Sequence, residues 1–362
     1  MQENTASTSR RHFVKTLALA GAGLPLARQG LSAAAGRKGI KLGIDHFSIR
    51  AMNWDASQLI RYAGEQKVDV LFISELKPIK DFSDGALRDL RKQADDVGVQ
   101  LYLGSWSICP TSKVFRKDWG TAEEHLRLGI RMAKTLGSPV FRCVLGARED
   151  RRTPGGIEAR MADTVQVLKA CRSEALDAGI KIAMENHAGD MQSWELVRLI
   201  EEAGRDFVGA NMDSGNAAWT LEDPMVSLEA LGPYAICTSL RDSMIWESEK
   251  GARVQWTAMG EGNVDVKAYF ERFAELCPGV PVNLETISGF SVEFPYLETS
   301  FWEAFPNARA HEFARFVALA KQGRELPGHR SANDQEEQAY QREELERSLR
   351  YCREELGLGV RS

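Results

Sequence analysis

The stretch Lys181-Ile182-Ala183-Met184-Glu185-Asn186-His187 is a short apolar run that ends in a carboxylate, an amide and an imidazole. A run of this length reads as a buried strand. Gly179, just before it, reads as the C-cap of a preceding helix. Residues 193–203, just after it, place apolar side chains at three- and four-residue spacing, as a helix does. The unit is therefore strand, polar strand end, helix.

Working outward, the same unit recurs. Strands are predicted at 41–49, 68–75, 100–107, 139–146, 181–187, 208–213, 235–242 and 280–287. Helical spacing fills 57–66, 84–97, 122–136, 157–178, 193–203, 224–231, 264–276 and 308–322. Ser83 and Thr121 read as N-caps, and Gly98 and Gly137 join Gly179 as C-caps. Eight strands each followed by a helix predict an α/β fold, a (β/α)8 TIM barrel over residues 40–326. A doubly wound open sheet would need a glycine-rich loop after its first strand. That position reads Asp45-His46-Phe47-Ser48 instead.

Both ends differ from the barrel. Ser9-Arg10-Arg11-His12-Phe13-Val14-Lys15, the apolar run 16–27 and Ser32-Ala33-Ala34-Ala35 follow the order of a twin-arginine signal peptide over residues 1–35. This predicts export to the periplasm. No cysteine follows the apolar run, which argues against a lipid anchor. Residues 329–362 are rich in Glu, Gln and Arg, with Tyr340, Leu345, Leu349 and Cys352 on one stripe. They predict a charged amphipathic helix packed on the barrel or on a second copy of the chain, which leaves a homo-oligomer open.

The net charge of −5 gives nucleic acid no electrostatic attraction, so no such partner is expected. Past the N-terminal segment no apolar run is long enough to span a bilayer. Cys109, Cys143, Cys171, Cys237, Cys277 and Cys352 show no C-x-x-C spacing, which removes zinc knuckles and thioredoxin-type motifs. Export would permit disulfides among them.

Catalytic groups of a TIM barrel sit at the carboxyl ends of its strands. Strand five ends in Glu185, strand six in Asp213 and strand eight in Glu285, each directly after an apolar run. A buried carboxylate there is costly unless paired. Two such charges ~4 Å apart repel by roughly 4 kcal/mol at an effective dielectric near 20. Three facing one axis need a divalent ion, a proton or an arginine, and an all-oxygen set suits Mg2+ or Mn2+.

Ile182-Ala183-Met184-Glu185-Asn186-His187, Asp213-Ser214-Gly215-Asn216, Glu222-Asp223-Pro224, Ser239-Leu240-Arg241-Asp242, Gly260-Glu261-Gly262-Asn263-Val264-Asp265 and Asn283-Leu284-Glu285 occur in this order. Together they resemble the sugar phosphate isomerase/epimerase family with its xylose isomerase-like TIM barrel. The resemblance covers the whole barrel. It implies one divalent metal ion, Mn2+, Mg2+ or similar, held by Glu185, Asp213, residue 239 and Glu285. It also implies a small-molecule carbohydrate partner and an isomerase. Glu185 and Glu285 would be catalytic, moving a proton next to a carbonyl that the metal polarises. Position 239 departs from the pattern: relatives usually carry His there, sometimes Gln, and this chain has Ser239. A hydroxyl is the weaker ligand, and Arg241 or Arg142 could supply the positive charge instead.

Other strand-end residues are candidates for substrate binding: His46, Trp106, Arg142, His187, Asn216 and Arg241. Trp106 and Trp219 could stack on the apolar face of a sugar. Three other functions use the same fold. A lyase, dehydratase or hydrolase of oxidised sugars shares the first proton abstraction. A non-catalytic carbohydrate-binding barrel would keep the fold without the chemistry. An abasic-site endonuclease needs several more histidines, and Asn216 stands where one of them is expected. Export favours a free sugar over a phosphorylated one.

Overall fold

The computed structural model describes residues 39–361, so the predicted export signal lies outside the described residues. Seven parallel strands follow in chain order: β1 (Leu42–Asp45), β2 (Val70–Ile73), β3 (Gln100–Ser107), β4 (Val140–Val144), β5 (Lys181–Glu185), β6 (Val208–Met212) and β7 (Ala235–Thr238). An antiparallel hairpin, β8 (Asp242–Ser248) and β9 (Gly251–Thr257), comes next. The eighth barrel strand, β10 (Val282–Leu284), pairs in parallel with β1. Between β7 and β10 the ring is joined by one bridge, Leu240 to Leu284, and a 2.8 Å bond from Leu240 N to Asn283 O. These strands are apolar nearly throughout because both of their faces are covered.

Helices close the outside. They are α1 (Ala56–Glu65), α2 (Asp84–Asp96), α3 (Ala122–Leu136), α4 (Gly156–Ala170), α5 (Arg172–Ala178), α6 (Ser193–Ala203), α7 (Ser214–Trp219), α8 (Pro224–Leu231), α9 (Val266–Leu276) and α10 (Ala310–Ala320). Ser83 and Thr121 cap α2 and α3 through their side chains, as their positions predict. Gly137 and Gly179 end α3 and α5 in the left-handed region, at φ 77° and 69°. The last helix, α11 (Asp334–Glu354), buries Leu345, Leu349 and Cys352 against the barrel.

Three expectations change. Strand one stops at Asp45, because Asp45 caps a 3-10 turn over His46–Met52 by accepting from Phe47 N at 3.0 Å. The helix expected over 157–178 is two helices, since Cys171 leaves helical geometry at φ −110° and ψ 11°. Its buried Sγ points at Glu123 O, 3.7 Å away. Strand seven ends at Thr238, and Asp242 opens the hairpin instead of closing the barrel strand. With β11 (Ser291–Phe294), that hairpin forms a separate three-stranded antiparallel sheet. All six cysteines are buried and free, so no disulfide forms.

The main apolar core lies between strands and helices. A smaller one fills the barrel interior with Val70, Phe72, Tyr102, Val140, Ala183 and Cys237. A third packs the added sheet around Val254, Trp256, Phe294 and Phe316. Asn211, Asn283, Arg142 and Asp45 are buried polar residues of the barrel strands. The added sheet carries Trp256 and Arg241's immediate neighbours to the same end of the barrel.

Candidate active site

The backbone brings Glu185, Asp213 and Glu285 together from β5, β6 and β10. Each offers an oxygen, and these lie within 4.8 Å of one another. All three side chains are buried. Asn186 holds the strand ends in register: its Nδ2 donates to Asp213 O at 2.8 Å and its Oδ1 accepts from Asp213 N at 2.9 Å. Asp213 also caps α7, accepting from Asn216 N at 2.9 Å.

Two buried arginines answer these charges. Arg142 on β4 donates from Nε to Glu185 Oε2 at 2.5 Å. Asn211 Nδ2 donates to the same oxygen at 2.7 Å, and Asn216 Nδ2 reaches Glu185 Oε1 at 3.2 Å. Arg241 sits between the other two carboxylates, with Nη2 donating to both Asp213 Oδ2 and Glu285 Oε2. Trp256 backs its guanidinium, 4.2 Å from the ring centre. Burial pushes Glu285 up to about 8 and Asp213 well above the usual carboxylate range, with Arg241 acting against both shifts.

A fourth carboxylate belongs to the group. Asp45, at the end of β1, is fully buried and accepts from Ser74 Oγ at 2.5 Å. Burial pushes it up to about 6. It also accepts from Ser239 Oγ at 3.2 Å. Asp45 follows the apolar run Leu42-Gly43-Ile44, the same signal that marks Glu185, Asp213 and Glu285, so the sequence carried the means to find it.

A buried acidic triad of this kind could bind a metal ion, and the remaining donors decide how well. Ser239, the expected fourth ligand, spends its hydroxyl on Asp45 and on accepting from Asn211 Nδ2 at 3.2 Å. Arg241 already occupies the approach between Asp213 and Glu285. An ion there would meet a like charge at contact distance, which repels by several kcal/mol (about 4 per unit charge pair at ~4 Å and a dielectric near 20). With Arg241 in this position the residues present fit a guanidinium and not a divalent ion.

A cavity of about 330 Å³ opens above this cluster, within the range that takes small molecules. Glu185, Glu285, Arg142, Arg241, Asn216, His187 and Trp106 line it. His187 Nδ1 lies 2.6 Å from Gly146 O. A carbonyl only accepts, so Nδ1 carries the proton and Nε2 is left with its lone pair. Burial holds the imidazole below its ordinary pKa and so keeps it neutral. Trp106 meets the His187 ring edge-on at 5.2 Å. His46 takes a different place. Its Nδ1 accepts from Ser74 N at 3.1 Å, and the ring borders a neighbouring groove with Asn53, Trp54 and Lys77. Burial pushes it down to about 4.

The opposite wall is aromatic. Trp219 and Trp256 stack at 4.3 Å and 17°, and Phe290 stands edge-on to both, 43% exposed. Phe47, Arg50, Ser74, Glu75, Ala188 and Ile287 complete the lining. Trp256 and Phe290 lie in stretches for which the sequence predicts no strand or helix. The alternation Arg253-Val254-Gln255-Trp256 was the signal for the added sheet.

A family model described as xylose isomerase-like TIM barrel matches residues 58–289. Uncharacterized protein YihM of Escherichia coli strain K12 is 25% identical over 125 residues, 34% of this chain and 37% of that protein. That alignment spans little more than a third of the relative. D-psicose 3-epimerase from Clostridium cellulolyticum H10, solved with D-tagatose, is 15% identical with a TM-score of 0.53, covering 78% of this chain and 96% of that one. The IOLI protein, solved with a zinc atom, is 16% identical with a TM-score of 0.54, covering 79% and 100%. At these identities the solved structures show a shared fold.

Proposed function

This chain belongs to the xylose isomerase-like TIM barrel family, and from that premise we propose that it is a sugar isomerase/epimerase-like enzyme acting on a free, non-phosphorylated sugar or sugar derivative. The observation that carries the reading is the pairing of Glu185 and Glu285 on one cavity floor, from strands on different sides of the ring, with Arg142 and Arg241 against them. Sugar epimerases are among the chains that share its fold, which supports the reaction class.

The residue types suit proton transfer next to a carbonyl. One glutamate takes the proton from the carbon beside the carbonyl, and the electron pair left behind makes that oxygen an oxyanion. Donors fixed around the cavity stabilise that charge without reorganising. Returning the proton to the other face, or to the neighbouring carbon, gives the epimer or the isomer. His187, with an open Nε2, is placed to accept a hydrogen bond from a substrate hydroxyl. The stacked Trp219 and Trp256, with Phe290 at their edge, suit the C–H face of a sugar ring.

The twin-arginine signal expected over residues 1–35 supports a periplasmic reaction, and with it a free sugar over a phosphorylated one. Elimination from an oxidised sugar on the same groups is the second reading, because it shares the first proton abstraction. The test is product analysis on a panel of free and 3-oxo sugars. An epimer or ketose–aldose pair supports the proposal. An unsaturated or cleaved product moves it to the second reading, and no turnover across the panel removes it.

A further inference from the structure

We propose that Arg241 stands where the fold would otherwise hold a divalent ion, making this site metal-independent, and that its unpaired N–H groups receive the substrate oxyanion. The proposal rests on the reading of the site as one that abstracts a proton next to a carbonyl.

Four observations carry it. Arg241 Nη2 donates to Asp213 and Glu285 at once, joining β6 to β10 with a positive charge. A cation in that position removes the repulsion that would otherwise call for an ion. Second, Arg241 is 4% exposed, yet its Nε and Nη1 have no hydrogen-bond partner among the described residues. Buried N–H groups are almost always paired, so two orphans on a cavity-lining residue point to an acceptor oxygen brought by a ligand. Third, the guanidinium is held in place. Trp256 lies against it at 4.2 Å and is itself fixed by a 2.9 Å bond from Nε1 to Gly215 O. Residue 215 has to be glycine, since a Cβ there would lie 2.6 Å from Arg241 Cγ and Cδ. Fourth, the Ser239 hydroxyl donates to Asp45 and accepts from Asn211, and among the described residues no hydrogen bond joins it to a carboxylate of the triad.

The chemistry balances without a metal. The C–H pair moves into a carbon–carbon double bond, the carbonyl oxygen takes the negative charge, and a glutamate holds the proton. Arg241 donates hydrogen bonds to that oxygen, a preorganised donor acting where the charge develops. Reprotonation restores the carbonyl and the carboxylate, so no oxidant or reductant enters.

The experiment is elemental analysis of the protein purified without chelator, followed by calorimetric titration with Mn2+. It is run on the wild-type chain and on the double variant Ser239→His, Arg241→Ala. The wild type is expected to carry less than about 0.1 ion per chain and to show no saturable binding. The double variant, with a full Glu-Asp-His-Glu set, is expected to take up about one ion per chain. A wild type that holds about one ion, or titrates to that stoichiometry, overturns the proposal. The wild-type result decides even if the double variant does not fold. The two readings fail separately. Turnover that EDTA abolishes and Mn2+ restores would sink metal independence and keep the isomerase. No metal and no turnover on any sugar would do the reverse.

Discussion

Four strands of this barrel end in buried carboxylates, and each has a different neighbourhood. Glu185 is bound on both oxygens by Arg142, Asn211 and Asn216. Glu285 meets Arg241 and is pushed up to about 8, so it can carry a proton near neutral pH. Asp213 is taken up by its helix cap and Arg241, and Asp45 by Ser74 and Ser239. Glu185→Gln and Glu285→Gln should therefore each cut kcat by about 100- to 10,000-fold. Both variants should remain folded, as their circular dichroism spectra would show, though each loses a buried ion-pair partner and some stability with it. Activity retained in either variant would remove the two-glutamate mechanism. Glu185, Asp213 and Glu285 were legible because each directly follows an apolar run, a place where a charge needs a reason. The same rule reaches Asp45, which directly follows Leu42-Gly43-Ile44. Arg241 and Arg142 were legible as candidate cations, but which carboxylates each one answers was not, because only the folded geometry aims Arg241 between Asp213 and Glu285 and Arg142 at Glu185.

At the scale of elements, the eight βα units announce themselves through buried runs alternating with helical spacing. The three-stranded sheet does not, because β8 begins four residues after β7 ends and the strand expected over 235–242 stops where β8 starts. That sheet supplies Trp256, hence the backing of Arg241 and half of the stacked aromatic pair. The C-terminal helix was visible as a stripe in a charged run. Its packing makes a direct prediction. Leu349 is 1% exposed in the main core, so Leu349→Ala should cost about 2–5 kcal/mol in chemical denaturation, against little for an exposed position of α11 such as Arg350. A loss below ~1 kcal/mol would mean that α11 is not part of the folding unit.

For the molecule as a whole, buried neutral groups set part of its response to pH. His125, packed against Trp119 and hydrogen-bonded to Ser105 at 2.6 Å, is pushed down to about 4 by burial. The unfolded chain binds that proton from pH 6.5 downward and the folded chain does not. The contribution of His125 is therefore full above pH 6.5 and is lost as pH falls toward 4, at about 1.4 kcal/mol per unit. The stability gap between wild type and His125→Gln should narrow by about 2 kcal/mol from pH 7 to pH 5; an unchanged gap would show that the imidazole titrates normally. In the proposed reaction Glu185, Glu285 and Arg241 act as one machine for moving a proton next to a carbonyl. Its most direct test is incubation with free and 3-oxo sugars in D2O, read by NMR. The predicted result is deuterium at the carbon beside the carbonyl of one of them with the wild type, and none with Glu285→Gln. A panel of sugars left wholly undeuterated by the wild-type enzyme would contradict it.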